Sequence, residues 1–119
     1  MCNFQPKEKT HTERVLGLMG LAVRAGRVVF GTPMVCDAMR AGKKLCLVVE
    51  AEDSSENTHK RITDRCAYYG VTHTRIPVGT DALAHALGKR GALAVVAITD
   101  EGMAQSILKL LCTSQNDRS

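Results

Sequence analysis

Apolar positions along this chain switch repeatedly between two periods. Between residues 12 and 25, Val15, Leu18, Met19 and Ala22 fall on one face at helical spacing. Thr12 suits an N-cap, and Gly26 follows the last turn. Gly17 and Gly20 lie within this helix, and the expectation is that they let it pack closely against a sheet. Arg27-Val28-Val29-Phe30 predicts a short strand. A second helix follows over residues 33–41, with Thr32 as its cap, Pro33 in its first turn and Gly42 as its stop.

The continuous apolar run from Leu45 to Val49, within Lys44–Glu50, predicts a strand buried on both faces. The stretch from Ala51 to Ser55 is the turn after it. Residues 56–69 predict a third helix that ends at Gly70, with Ile62, Cys66 and Tyr69 facing the core and Lys60, Arg61 and Arg65 largely elsewhere. Residues 72–77 make a weaker strand. Residues 81–87 make a short helix, capped by Thr80 and stopped by Gly88. Residues 92–99 form the last strand. Asp100 then caps a final helix with Met103, Ile107 and Leu110 inside.

Strands alternating with helices argue for an α/β fold with a sheet covered on both faces. A three-layer α-β-α sandwich around about four strands accounts for every element economically. The 119 residues carry no linker, repeat or low-complexity segment, which predicts one domain over 1–119 with a core at about 12–111. Residues 1–10 and 113–119 are expected to fray.

Composition narrows the chemistry. Sixteen basic against twelve acidic residues give a formal charge of +4, which suits an anionic partner without requiring one. Aromatics are scarce, so a single-strand binder built on stacked rings is disfavoured. Cys2, Cys36, Cys46, Cys66 and Cys112 are odd in number and have no zinc-type pair spacing; they fit small buried hydrophobes in a reducing cytosol. The polar N-terminus resembles no targeting signal, and no apolar run approaches bilayer length. The expectation is a cytoplasmic protein with no membrane partner.

No enzyme constellation emerges. Dinucleotide, Walker-type and hydrolase-elbow motifs are absent. His11, His59, His73 and His85 have no partner at a metal-ligand interval and are expected at the surface or its boundary. Asp53, just after the main strand, is the best acidic candidate for catalysis. Capping or turn formation is its competing role. The reading is therefore a non-enzymatic chain with no cofactor, no metal and no catalytic residue.

Two loops suit an anion better. A helix opening at Thr32 presents free amides and a positive dipole end, and Gly31 allows close backbone approach. Gly88-Lys89-Arg90-Gly91 is a basic turn with glycine on each side, and Lys89 and Arg90 can pair with phosphates.

Residues 16–62, from Leu16-Gly17-Leu18 to Lys60-Arg61-Ile62, resemble the opening of the kink-turn-binding ribosomal-protein superfamily, the L-seven-Ae/L-thirty-e class. Its small bacterial YlxQ-like members are the nearest in pattern. The resemblance continues through Ala86–Leu108 and covers about residues 12–111. Its landmarks are the glycine-opened helix, the strand ending in Ala51-Glu52-Asp53, and the glycine turn before a Val/Ala-rich strand. It implies a four-stranded mixed sheet. It also implies a binding edge where three loops meet, docking a sharply bent RNA with sheared G·A pairs. The implied partner is structured RNA, ribosomal or otherwise containing a kink-turn, with the ribosome or another protein beside it.

At this edge the chain departs from the family pattern. Pro33 and Met34 stand where many RNA-binding members have Asn-Glu, and Asp37 stands where they have Lys. An acid at 37 turns an expected phosphate attraction into repulsion. Ser55 falls where some relatives place a guanine-contacting Glu. The resemblance, so modified, implies that Gly31 and Thr32 present amides and a hydroxyl to the RNA backbone. Lys89 and Arg90 neutralise phosphates, and Met34 and Ser55 shape the contact with opened bases. Arg27, Lys43 and Lys44 are expected to add charge to the same edge. The competing reading, motivated by Pro33, Met34 and Asp37, is a protein-interaction module that has lost kink-turn recognition.

Overall fold

The computed structural model describes the backbone of residues 4–117 and the side chains of residues 12–111. Its elements run α1 (Phe4–Arg24), β1 (Val28–Phe30), α2 (Thr32–Arg40), β2 (Leu47–Ala51), α3 (Glu56–Tyr69), β3 (His73–Ile76), α4 (Thr80–Ala86), β4 (Val95–Ile98) and α5 (Glu101–Asp117). The strands form one mixed sheet in the order β1-β4-β2-β3. β4 is antiparallel to both β1 and β2, whereas β2 and β3 run parallel.

Alternation along the strands divides the core into two layers. Leu47, Val49, Val96 and Ile98 face α1, α4 and α5, where Val15, Met19, Leu83 and Ile107 are buried. Val48, Val95 and Ala97 face α2 and α3, where Val35, Met39 and Ile62 are buried. The result is the expected α-β-α sandwich. At about 25 cal/mol per Å² of apolar surface, fully burying a side chain such as Leu47 or Ile62 contributes about 1.5–3 kcal/mol.

Several local expectations are corrected. α1 begins at Phe4, so Thr12 lies inside the helix and does not cap it. Pro6 falls in the first turn, where its missing N–H breaks no helical bond. Residues 4–11 carry no apolar stripe to announce that extension. Of the ends expected to fray, residues 4–10 and 113–117 are helical, and residues 1–3 and 118–119 lie outside the described residues. The side chains of Cys2, His11 and Cys112 also lie outside them. Gly17 and Gly20 are not close-packing positions, because a Cβ on either meets nothing within 4 Å. Tyr69 is exposed rather than in the core and stacks edge-on against Tyr68.

The helix caps divide by distance along the chain. Ser55 caps α3 by accepting the Thr58 N–H at 3.2 Å, and Asp100 caps α5 by accepting the Met103 N–H at 2.9 Å. Thr32 and Thr80 are instead the first helical residues of α2 and α4; their N-caps are Gly31 and Gly79. Cys36 and Cys66 are buried and Cys46 is half-buried, all as free thiols. Among the described residues, no helix is long and apolar enough to cross a membrane.

Candidate functional site

Strand direction assembles one end of the sheet. Because β4 runs antiparallel to both neighbours, its first residues lie beside the ends of β1 and β2. The Gly31 N–H donates to the Val95 carbonyl at 2.9 Å, and the Ala51 N–H donates to the Ala94 carbonyl at 2.8 Å. The loop entering β4 is thereby held between the turn at Gly31 and the turn at residues 52–55. The Leu93 N–H also donates to the Thr80 carbonyl at 3.1 Å, and the Glu52 N–H to the Val78 carbonyl at 3.0 Å. Four chain segments thus share one rim.

Lys89 places the basic turn on that rim. Its Nζ lies 4.2 Å from the centroid of the Phe30 ring, one residue before Gly31. A cation over a ring face at this distance is held by the ring quadrupole. Lys89 is exposed as a residue, as is Arg90. The glycine turn and the basic turn, 58 positions apart by the difference 89 − 31, are therefore neighbours.

Gly31 adopts φ 87° and ψ 149°, a region that only glycine occupies readily. Its amide is already engaged by Val95, so it is not the free donor expected from the sequence. Pro33 has no N–H. The first-turn donors with no partner inside α2 are therefore the amides of Thr32 and Met34. Met34 and Pro33 are exposed, with Met34 at 59 %. Asp37 is also exposed, and Arg40 Nη2 holds its Oδ1 at 3.2 Å. That ion pair adds little stability at such exposure, but it places a cation beside the acid that the family resemblance leads one to expect as unfavourable. The Ser55 hydroxyl accepts the Thr58 N–H and donates to Thr58 Oγ1 at 3.0 Å. Most of its hydrogen-bonding capacity is spent within the protein.

Arg27, Lys43 and Lys44 do not join this rim. Thr99, after the end of β4, donates its N–H to the Arg27 carbonyl, and Lys44 Nζ lies 4.0 Å from Glu101 Oε1. These cations sit at the opposite end of the sheet, because the residues that precede β1 and β2 lie beside the end of β4. A cation that sequence reasoning missed replaces them: Arg75 on β3 is exposed and donates from Nη2 to the Glu52 carbonyl at 3.0 Å. Asp53 is the cap of α4, accepting the Thr80 N–H at 2.8 Å.

Behind the 52–55 turn lies a polar network that the reading of the sequence missed. Glu50 is fully buried on β2. It accepts hydrogen bonds from His59 Nδ1 at 2.9 Å, from His73 Nε2 at 2.8 Å and from the Ser54 hydroxyl. Burial pushes the carboxyl pKa up. The bonds from Ser54, His59 and His73, with the charge of His59, outweigh it and hold the group below its ordinary value. His59 and His73, expected as unrelated boundary residues, are thus partners in one cluster.

The sequence model of the "Ribosomal protein L7Ae/L30e/S12e/Gadd45 family" matches residues 13–108. The chain belongs to this family. It is 40 % identical over 94 residues to the "RNA-binding protein YlxQ" of Bacillus subtilis (strain 168), a match covering 79 % of this chain and 91 % of that protein. It is 37 % identical over 59 residues to the "RNA-binding protein YlxQ" of Enterococcus faecium, covering 50 % and 56 %. Among solved structures, a protein of unknown function from Bacillus halodurans superposes with TM-score 0.73 at 28 % identity, over 81 % of this chain and 94 % of that one. The Giardia lamblia 15.5kD RNA binding protein superposes with TM-score 0.72 at 16 % identity, over 90 % and 89 %, a likeness of fold. Family membership accords with the landmarks at Gly31, Ala51–Asp53 and Gly88–Gly91.

Proposed function

We propose that this chain is a small, non-enzymatic, cytoplasmic RNA-binding protein that recognises structured, kink-turn-like RNA, ribosomal RNA included, through the rim joining Gly31–Thr32, residues 52–55 and Lys89–Arg90. The observation that carries the proposal is Lys89 Nζ at 4.2 Å from the Phe30 ring, which sets a cationic turn beside a glycine-opened helix start. Lys89 and Arg90 neutralise phosphates on either side of a bend. The Thr32 and Met34 amides, at the positive end of the α2 dipole, receive a phosphate oxygen. The Met34 side chain lies against an opened base. Arg75 extends the positive rim toward β3, and Arg40 keeps the Asp37 carboxylate from opposing the RNA. The names carried by the Bacillus and Enterococcus relatives support the polymer class, and the bend preference follows from the family resemblance.

Binding of the purified protein to a kink-turn RNA and a straight duplex, each across a salt series, tests this reading. The expected result is tighter binding to the bent RNA that persists as salt rises. Equal binding to both, collapsing together with salt, would reduce the rim to general cationic adhesion. Failure to bind either RNA at low salt would favour a second reading. In that reading the exposed Pro33–Met34 tip, with Met34 at 59 % exposure, meets a protein partner.

A further inference from the structure

We infer that Glu50, His59 and His73 form a binding site for a divalent transition-metal ion of the zinc type, clamping β2, β3 and α3 together beneath the 52–55 turn. The inference does not depend on the RNA reading. Three separate elements aim ligand atoms at one point. Glu50 sits at the buried end of β2, and His73 opens β3, paired in register with Val48 one pleat away on the same face. His59 lies one helical turn before the buried Ile62 on α3. One oxygen and two ring nitrogens all lie within 4.8 Å of one another, and both rings address the same carboxylate oxygen, Glu50 Oε1.

The distances suit a metal. Bonds of about 2.0–2.1 Å in a tetrahedral zinc site place neighbouring donors about 3.3 Å apart. The nitrogen–oxygen separations here are 2.8 and 2.9 Å, so the rings retreat by about half an ångström to admit the ion. Each imidazole then turns a lone pair inward: the proton it shared with the carboxylate leaves to solvent, and the other ring nitrogen carries the single proton of a neutral ring. Two imidazoles with one carboxylate favour zinc and its neighbours over calcium or magnesium, which prefer all-oxygen cages. The Ser54 hydroxyl already fixes the carboxylate from outside, as supporting groups do in metal sites. Glu50 is wholly buried, whereas the His59 side chain is 41 % exposed, which gives the ion a path and leaves a coordination position for water. A dication on one carboxylate and two neutral rings also satisfies a buried negative charge.

The test uses the full chain, stripped with chelator and titrated with Zn2+ alone by calorimetry, with Mg2+ as the comparison cation. The expected result is one equivalent of Zn2+ bound, a rise in Tm of about 4 °C or more at saturation, and no response to Mg2+. Co2+ is expected to give visible bands of a nitrogen–oxygen site without thiolate charge transfer. His59→Ala and His73→Gln should each weaken Zn2+ binding by at least about 100-fold, beyond what loss of a supporting group produces. His59 is partly exposed, so its variant keeps the fold, and circular dichroism checks this. No heat and no Tm change at millimolar Zn2+ would overturn the site. So would Zn2+ binding unchanged in a folded His59→Ala protein, or a thiolate band with Co2+, which would assign the metal to the cysteines.

Discussion

Asp53 Oδ1 accepts the backbone N–H of Thr80 at 2.8 Å, so the turn after β2 caps the helix that follows β3. α4 has no side-chain cap of its own, since its N-cap residue is Gly79. A carboxylate there satisfies an orphan donor and complements the helix dipole. Asp53→Ala should cost about 1 kcal/mol, within the range of lost N-caps, and Asp53→Asn should recover most of it. Urea denaturation of both variants measures this. Equal stability of Asp53→Ala and the parent would show that the bond contributes nothing.

The same capping bond links the two sides of the candidate rim. Leu93, in the loop carrying Lys89 and Arg90, donates its N–H to the carbonyl of the residue that Asp53 caps. The double replacement Lys89→Ala/Arg90→Ala should therefore keep the backbone bonds of the rim while removing two charges and the Lys89–Phe30 contact. RNA affinity should fall for every sequence. The slope of log K against log salt should become shallower by about 1 for each phosphate that is no longer neutralised. An unchanged slope would mean that other cations on the protein hold the phosphates.

Gly31→Ala should destabilise the chain by about 1–3 kcal/mol, the usual cost of a non-glycine residue held in such a region. The added Cβ meets only Pro33 Cδ, at 3.9 Å, so the cost is conformational rather than a clash. Relief of strain would displace the Gly31 amide from Val95 and loosen the start of α2. Thermal denaturation reads the first effect, and faster hydrogen exchange at Val35, whose N–H donates to the Gly31 carbonyl at 2.9 Å, reads the second.

Apart from the start of α1, the elements were legible because each depends on local spacing. Residues 56–69 carry a helical stripe that stops at a glycine, and α3 spans those same residues. The convergence of loops at Gly31 and Lys89 was legible only through the family resemblance, because it depends on β4 running antiparallel to both neighbours. The same strand directions sent Arg27, Lys43 and Lys44 to the far end, where counting positive charge along the chain could not place them. Glu50, His59 and His73 lie 9 and 23 positions apart in the two bonds they make, so their meeting requires both the β2–β3 register and the inner face of α3. One sequence signal pointed there: a glutamate directly after an apolar run that has no solvent face.

Cys66 gives a pH-dependent prediction. It is 3 % exposed on the inner face of α3, and burial, with the charges of Cys36 and Glu50 adding to it, pushes its thiol up to about 11 from 9.0. Alkylation requires the thiolate. At pH 8 the Cys66 peptide should therefore remain unmodified in the native protein and react once urea unfolds the chain, as peptide-resolved mass spectrometry would record. The folded chain holds this proton more tightly than the unfolded chain does, so the associated stability is complete below pH 9 and is lost as pH rises toward 11. Over that interval the parent should lose up to about 3 kcal/mol more than Cys66→Ala, which has no thiol to ionise. Parallel pH profiles for the two proteins would mean that the Cys66 thiolate is accommodated in the fold, and rapid native alkylation would mean the same.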